Sequence, residues 1–346
     1  MNEMTTLEYD TEQVLFDYSH TAIQQQSAAI LDQLNKHFLQ SGENVFMLVD
    51  PAKLELNITS SWLVTLTERR PEPVALLHAS IPHSYYPWLI TLDLARPEDQ
   101  ALLQESIIMS LQETDPAKLR AGCGRTLCGW LTSMQPARVV ARQLGSTAIQ
   151  KLKEGGNILL RYFDPAVHNT LWPHLSLFQQ QRMLGILSGW YFPDGDGQLV
   201  SHQHTPPAQP LLTFSLALQE NDNVMLERVG IVNQALKQYR EQTKHDSRMS
   251  ETALRSIAEL ALQRIAHSPV ITTVDEHVLF AFHALRYHAH IDLSPEFQYL
   301  LSTETQPADI RYRQRICALT SQDWQRLADE CQHLTAATHK NKELLP

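Results

Sequence analysis

The chain has 346 residues, 43% of them apolar and 19% charged, so it is long enough for two cores and has an ordinary globular makeup. Its net charge of −10 lies wholly in residues 1–120, which hold 7 Lys+Arg against 17 Asp+Glu, while the rest balances at 21 of each; an acidic surface repels phosphate and argues against nucleic-acid binding. No apolar run has membrane-helix length, the opening MNEMTTLEYDTEQ lacks the basic and apolar parts of a signal peptide, and Cys123, Cys128, Cys317 and Cys331 follow no framework spacing, so a cytoplasmic location is expected.

Residues 12–39 read as one amphipathic helix, with Ile23, Ile30, Leu34 and Phe38 at helical spacing and Ser41-Gly42 ending it. Val45–Val49 is a short apolar run, which predicts a strand buried on both faces. Asp50-Pro51-Ala52 follows at once. Asp caps a helix through its side chain, and proline fits the first helical position, so the unit reads strand, corner, helix. The same unit recurs as Ile158–Phe163 followed by Asp164-Pro165-Ala166, and Asp115-Pro116-Ala117 is a third, more polar instance. Between them the pattern predicts strands at Pro73–Ala79, Trp88–Leu94 and Thr126–Thr132. Helices are expected at Glu98–Leu111 and at Pro136–Leu152, the latter broken near Gly145. A helix near Phe178–Leu187 precedes a hairpin of Gly189–Phe192 and Gln198–Val200 around the turn Pro193–Gly197. His202–Pro210 reads as loop and Leu211–Leu218 as a last strand.

From about Asn221 only helical patterns remain. Leu254, Ile257, Ala258, Ala261, Leu262 and Ile265 trace one face behind a Ser250 cap. Val278, Phe282, Leu285 and Ala289 trace another after Asp275, and Ser294-Pro295 and Ser321 start further helices. The expected fold is therefore an α/β lobe, a mixed sheet covered by helices, plus an all-α C-terminal lobe. Its parts are a packed helix in 1–44, an α/β domain in 45–220, and a helical domain with a frayed tail in 221–346.

No catalytic motif is present. Gly185–Gly189 (GILSG) has the wrong spacing for a nucleophile elbow, there is no HExxH, and neither Gly122-Cys123-Gly124 nor Gly155-Gly156 makes a phosphate loop. His202 with His204, and His288 with His290, are the closest histidine pairs; the first has no Cys or Glu set to complete a metal site and the second points to different sides of its expected helix, so no metal or cofactor is expected. Asp50 and Asp164 end strands, where α/β sheets bind ligands, but helix capping accounts for both. Residues 121–163 carry Arg125, Arg138, Arg142, Lys151, Lys153 and Arg161 against Glu154 alone, either a solvated face or a docking surface. Tyr86, Trp88, Trp172 and Trp190 stand near predicted loops. Such side chains serve either the core or a partner interface, where Trp and Tyr dominate binding energy.

The run Asn157–Trp172 (NILLRYFDPAVHNTLW), then Pro173-His174-Leu175 and Gly185–Trp190, resembles the signature region of the type VI secretion effector adaptors, the domain-of-unknown-function 4123 family. Val45–Leu54 is similar to the first strand and helix of that domain, and Tyr86–Leu92 and Thr126–Ala141 to its middle. The resemblance implies a chaperone without catalysis. It would bind a cognate toxic effector and help join it to the valine–glycine-repeat spike protein or its tip. Arg161, Tyr162 and Asp164 then join Trp172, Tyr86, Trp88 and Trp190 as expected partner contacts. Two other readings stand beside it: an immunity-type toxin-binding protein, and a hydrolase using Asp50 or Asp164.

Overall fold

Ser19 starts the first helix. Its hydroxyl accepts the Ala22 N–H at 3.3 Å and caps α1 (His20–Ser41), which Gly42 ends in a left-handed conformation at φ +61°. The computed structural model describes residues 18–53, 60–78, 80–115, 117–118, 124–151, 155–207, 214–243, 249–304, 307 and 309–343; the expected first turns of this helix, 12–17, lie outside them. Ile23, Ile30, Leu34 and Phe38 are buried along α1, as their spacing predicts.

The remaining elements of the first unit are β1 (Asn44–Val49), α2 (Ser60–Glu68), β2 (Glu72–Pro73), β3 (Trp88–Leu92), α3 (Pro97–Gln112), β4 (Leu127–Ser133), α4 (Ala137–Ala148), β5 (Ile149–Lys151), β6 (Asn157–Leu159), α5 (Pro165–Leu171), α6 (Leu177–Leu184), β7 (Gly189–Pro193) and β8 (Leu199–Gln203). One sheet has the order β2-β3-β1-β4-β7-β8, and its pairings are antiparallel. Central β1 is buried at every residue after Asn44, which is why its sequence is an unbroken apolar run rather than an alternating one. Val45, Met47, Val49, Trp130 and Tyr191 face α1 and α3, and the Trp130 indole donates to Ser106 Oγ on α3 at 2.9 Å. On the other face Trp190 and Phe192 meet Tyr162 and His168. Tyr162 in turn donates its hydroxyl to Leu144 O of α4 at 3.2 Å. The α/β lobe of the sequence reading is thus a sheet with helices on both faces, antiparallel in its pairings where a mixed sheet was expected.

Three expected strands differ. Of Pro73–Ala79 only Pro73 is paired: Pro71 and Pro73 offer no N–H, one further bond joins Val74 N to Pro87 O, and the chain then leaves the ladder. Helix α4 runs unbroken through Gly145. The glycine is there because a Cβ at that position would fall 2.2 Å from Ala75 O, so the bare backbone lets the helix lie on the 74–76 segment. The strand before the second Asp-Pro ends at Leu159, pairs only with β5, and gives way to a turn closed by Asp164 N to Arg161 O at 2.9 Å. Of Leu211–Leu218, residues 211–213 lie outside the described chain. The rest pairs with no strand, since Ala217 has φ +52° and the Gln150 side chain takes the place of a neighbour, donating to Phe214 O and accepting from Leu216 N.

The second unit begins at Arg228, inside α7 (Glu220–Gln242), and continues with α8 (Glu251–Arg264), α9 (Val274–Arg286), α10 (Pro295–Leu301), α11 (Tyr312–Ile316) and α12 (Ser321–Glu343). Ser250 and Ser294 cap α8 and α10 as their positions predict. Helix α9 is capped by Thr273, in a reciprocal capping box with Glu276, so Asp275 lies one residue inside it. Val232, Leu236, Leu254, Ala258, Phe280, Phe297, Tyr312 and Leu327 form its core. Buried Glu251 accepts from both Arg240 and Arg255, and Arg315 ties one loop by donating to the carbonyls of Leu300, Ser302, Pro307 and Ile310. No helix among the described residues is long and apolar enough to cross a membrane.

Candidate functional site

Two Asp-Pro corners meet at one end of the sheet. Asp50 leaves β1 and its Oδ1 accepts the Ala52 N–H at 3.0 Å, over a single turn of 3-10 helix, Pro51–Lys53. Asp164 does the same for α5, accepting the Ala166 N–H at 3.0 Å with Pro165 as the first helical residue. Arg161 joins them. Its Nη2 donates to Asp50 Oδ2 at 2.6 Å and lies 3.9 Å from Asp164 Oδ2. The Asp50 side chain is only 4% exposed, so its charge has left water and needs this cation. Arg161 is 40% exposed, stands 5.6 Å over the Phe163 ring, and its Nε has no hydrogen-bond partner. The corner therefore fixes a part-exposed guanidinium in place.

Glu113, just past α3, is a buried acid that the sequence does not flag. Its Oε2 accepts the N–H groups of Thr126 and Leu127 at 2.9 and 3.1 Å, at the start of β4. Burial pushes its carboxyl up to about 7 despite those hydrogen bonds. Its surroundings, QETDPAK, read as a polar turn, and only the fold shows that this one side chain turns inward. Nearby Cys128 is buried, and that burial, with Asp50 and Asp164 adding, raises its thiol far from reactivity. Cys123 lies outside the described residues.

The expected partner residues separate into groups. Tyr162, Trp190 and Trp172 gather around two histidines. The rings of His168 and His202 stack in parallel at 5.1 Å, Trp172 stacks on His202 at 3.8 Å, and Trp190 meets His168 and Tyr162 edge-on at 4.8 and 5.5 Å. Burial holds both imidazoles neutral, pulling His202 down to about 4 and His168 well below its ordinary value. Tyr162 and Trp190 are fully buried and so present no surface to a partner; they are the packing beneath the corner. Trp172 is half-buried. Trp88 lies opposite Val49 with its ring on the α1 face, and Tyr86 is buried against His83, so neither joins this cluster. His202 serves the stack and His204 Nε2 lies 3.0 Å from Gly185 O, two separate jobs. Among the described residues no three His, Cys, Asp or Glu side chains gather as metal ligands.

After Trp172 the chain turns through exposed Pro173 and His174 into α6, whose Ser176 capping box holds its start. There Leu177 is 69% and Phe178 49% exposed, with the Arg182 guanidinium 4.8 Å over the Phe178 ring. Gln180 donates to Trp172 O at 3.1 Å and ties this apolar step to the stack. The step was not among the expected contacts, because a leucine and a phenylalanine opening an amphipathic helix read as core.

No curated protein and no solved structure matches the chain. Residues 45–182, from β1 into α6 and including Asp50, Arg161, Asp164 and Trp172, match the family model described as Domain of unknown function (DUF4123).

Proposed function

We propose that the chain is a type VI secretion effector adaptor, which holds one cognate effector and helps load it onto the valine–glycine-repeat spike complex without chemistry of its own. One observation carries this reading. The stretch matched by the family model holds a half-exposed, rigidly posted Arg161 and an apolar step, Leu177 and Phe178, beside a Trp172 fixed by stacking. Arginine and large apolar groups on a preorganised backbone are the composition of interface anchors. Asp50 and Asp164 are engaged by caps and by Arg161, so Asn at either position is expected to lower stability rather than reveal a lost activity.

Co-purification of the tagged chain from its native host tests the reading. It predicts recovery of a toxin-like partner or a spike component, and at least tenfold weaker capture by the Leu177→Glu, Phe178→Glu double variant. Recovery of neither component, or equal capture by the double variant with its fold intact, overturns it.

A further inference from the structure

The sheet end away from Arg161 holds a second feature, a pocket of about 380 Å³ lined by His37, Glu43, Thr132, Ser188, Tyr191 and Gln203, among others. Its floor is set by the register. Thr132, Gly189 and Gln203 lie side by side across β4, β7 and β8, and the middle position carries no side chain. A Cβ at 189 would fall 2.4 Å from Tyr191 Oη, so the glycine both leaves the space and lets the phenol ring lie over it. His37 of α1 packs on that ring at 5.4 Å, and Gln203 Nε2 stands 3.3 Å from His37 Nδ1, which forms the wall.

The hydroxyls of Ser188 and Thr132 gather beside one charge. Ser188 donates its hydroxyl to a Glu43 carboxylate oxygen, and its Oγ lies 2.8 Å from Thr132 Oγ1. Burial, with Glu43 adding, keeps the Tyr191 phenol protonated. No Lys or Arg lines the pocket, and the nearby Lys36 is taken by Asp32 at 2.6 Å. Glu43 has no ion-pair partner among the described residues. An anion would meet its field, and a neutral ligand would leave the carboxylate uncompensated; a cation with several N–H donors meets the charge and has hydroxyl oxygens of Ser188, Thr132 and Tyr191 to donate to.

We infer that this pocket binds a single organic cation, a guanidinium or primary ammonium, with Glu43 as counter-ion and the His37–Tyr191 wall as an aromatic face. The site stands on residues outside the Arg161 corner and holds whether or not the chain is an adaptor. The cation comes either from a free amine or from an arginine or lysine of a polypeptide.

Titration of the full chain, followed by calorimetry or by chemical shifts, uses L-arginine, L-lysine, an acetylated and amidated Gly-Arg-Gly tripeptide, and citrulline, which keeps arginine's shape without its charge. The expected result is binding of arginine, lysine or the tripeptide at least tenfold tighter than of citrulline, with a tenfold or greater loss in Glu43→Gln, a variant that keeps the hydrogen bond from Ser188. Gln203→Trp, at an exposed rim position, closes the mouth and is expected to abolish binding without touching Glu43. A tighter tripeptide assigns the site to a polypeptide side chain, and a tighter free amino acid assigns it to a small amine. The inference is overturned by equal affinity for citrulline, by undiminished binding in Glu43→Gln, or by no binding of any cation.

Discussion

Arg161 and Glu113 show how two buried carboxylates at one sheet end are stabilised by different means. Asp50 is paired with Arg161, and Arg161→Met removes that cation from a carboxylate only 4% exposed. Since Arg161 is part-exposed, the cost is expected at about 1–3 kcal/mol rather than the larger figure for a fully buried pair. Asp50→Asn in the same chain should recover part of the loss, which a double-mutant cycle in urea measures. At Glu113 burial outweighs the hydrogen bonds and the Arg125 charge, and its carboxyl is pushed up to about 7 from an ordinary 4.5. Its folded state binds the proton more tightly, so its contribution is fully present below pH 4.5 and lost as pH rises through 7. Glu113→Gln keeps an acceptor for Thr126 and Leu127, and is expected to stabilise by roughly 2–3 kcal/mol at pH 8 and by little at pH 4.5. Asp50 and Asp164 were legible as caps because Asp-Pro states its local mechanism. Glu113 and the His168–His202 stack were not, since each depends on partners far along the chain.

Two helical glycines make opposite forecasts at the level of elements. Gly145→Ala would drive a methyl into Ala75 O and lift α4 from the sheet edge, at an expected cost of about 1–3 kcal/mol. Gly230, in α7, has nothing within 4 Å of where its Cβ would stand, and Gly230→Ala is expected to stabilise by about 0.5–1 kcal/mol. Thermal melts of the two variants check both signs. The same pair marks what sequence can say about elements. Period and caps placed α1, α3, α8 and the β7–β8 hairpin, whose signals are local. At Gly145 a glycine read as a helix break was a packing contact, and of the apolar runs read as strands only Pro73 and Ile158–Leu159 join a ladder, while 74–78, 160–163 and 214–218 lie outside any strand. Apolar content reports burial, but a strand also needs a neighbour, and neighbours are chosen by the whole fold.

For the whole molecule the histidines set the acid limit. Burial pulls His202 down to about 4 and His283 to about 3, with His168 lowered as well. Groups lowered in the folded state contribute stability above their unfolded value of 6.5, and that contribution is lost as pH falls through the folded values. Stability is therefore expected to drop steadily below pH 6.5. His283→Gln should flatten that fall, because the change removes the proton uptake and leaves a side chain that can still meet the Tyr312 hydroxyl, 2.7 Å away in the parent. Denaturant unfolding at pH 7 and pH 4.5 separates the two chains. The division into an α/β and a helical part was legible, since the strand patterns stop near residue 220. The acidic excess in residues 1–120 was also plain, but Glu43, a carboxylate that lines a pocket, was hidden among the others.

The Arg161–Asp50 link joins residues 111 apart in sequence. Closing so long a loop costs entropy that no neighbouring contact returns early, whereas the β7–β8 hairpin closes within a few residues of Asp194. The link is therefore expected to form late in assembly. Its removal should leave the refolding rate nearly unchanged and appear almost wholly as faster unfolding, so that Arg161 acts as a latch on the lifetime of the finished sheet end.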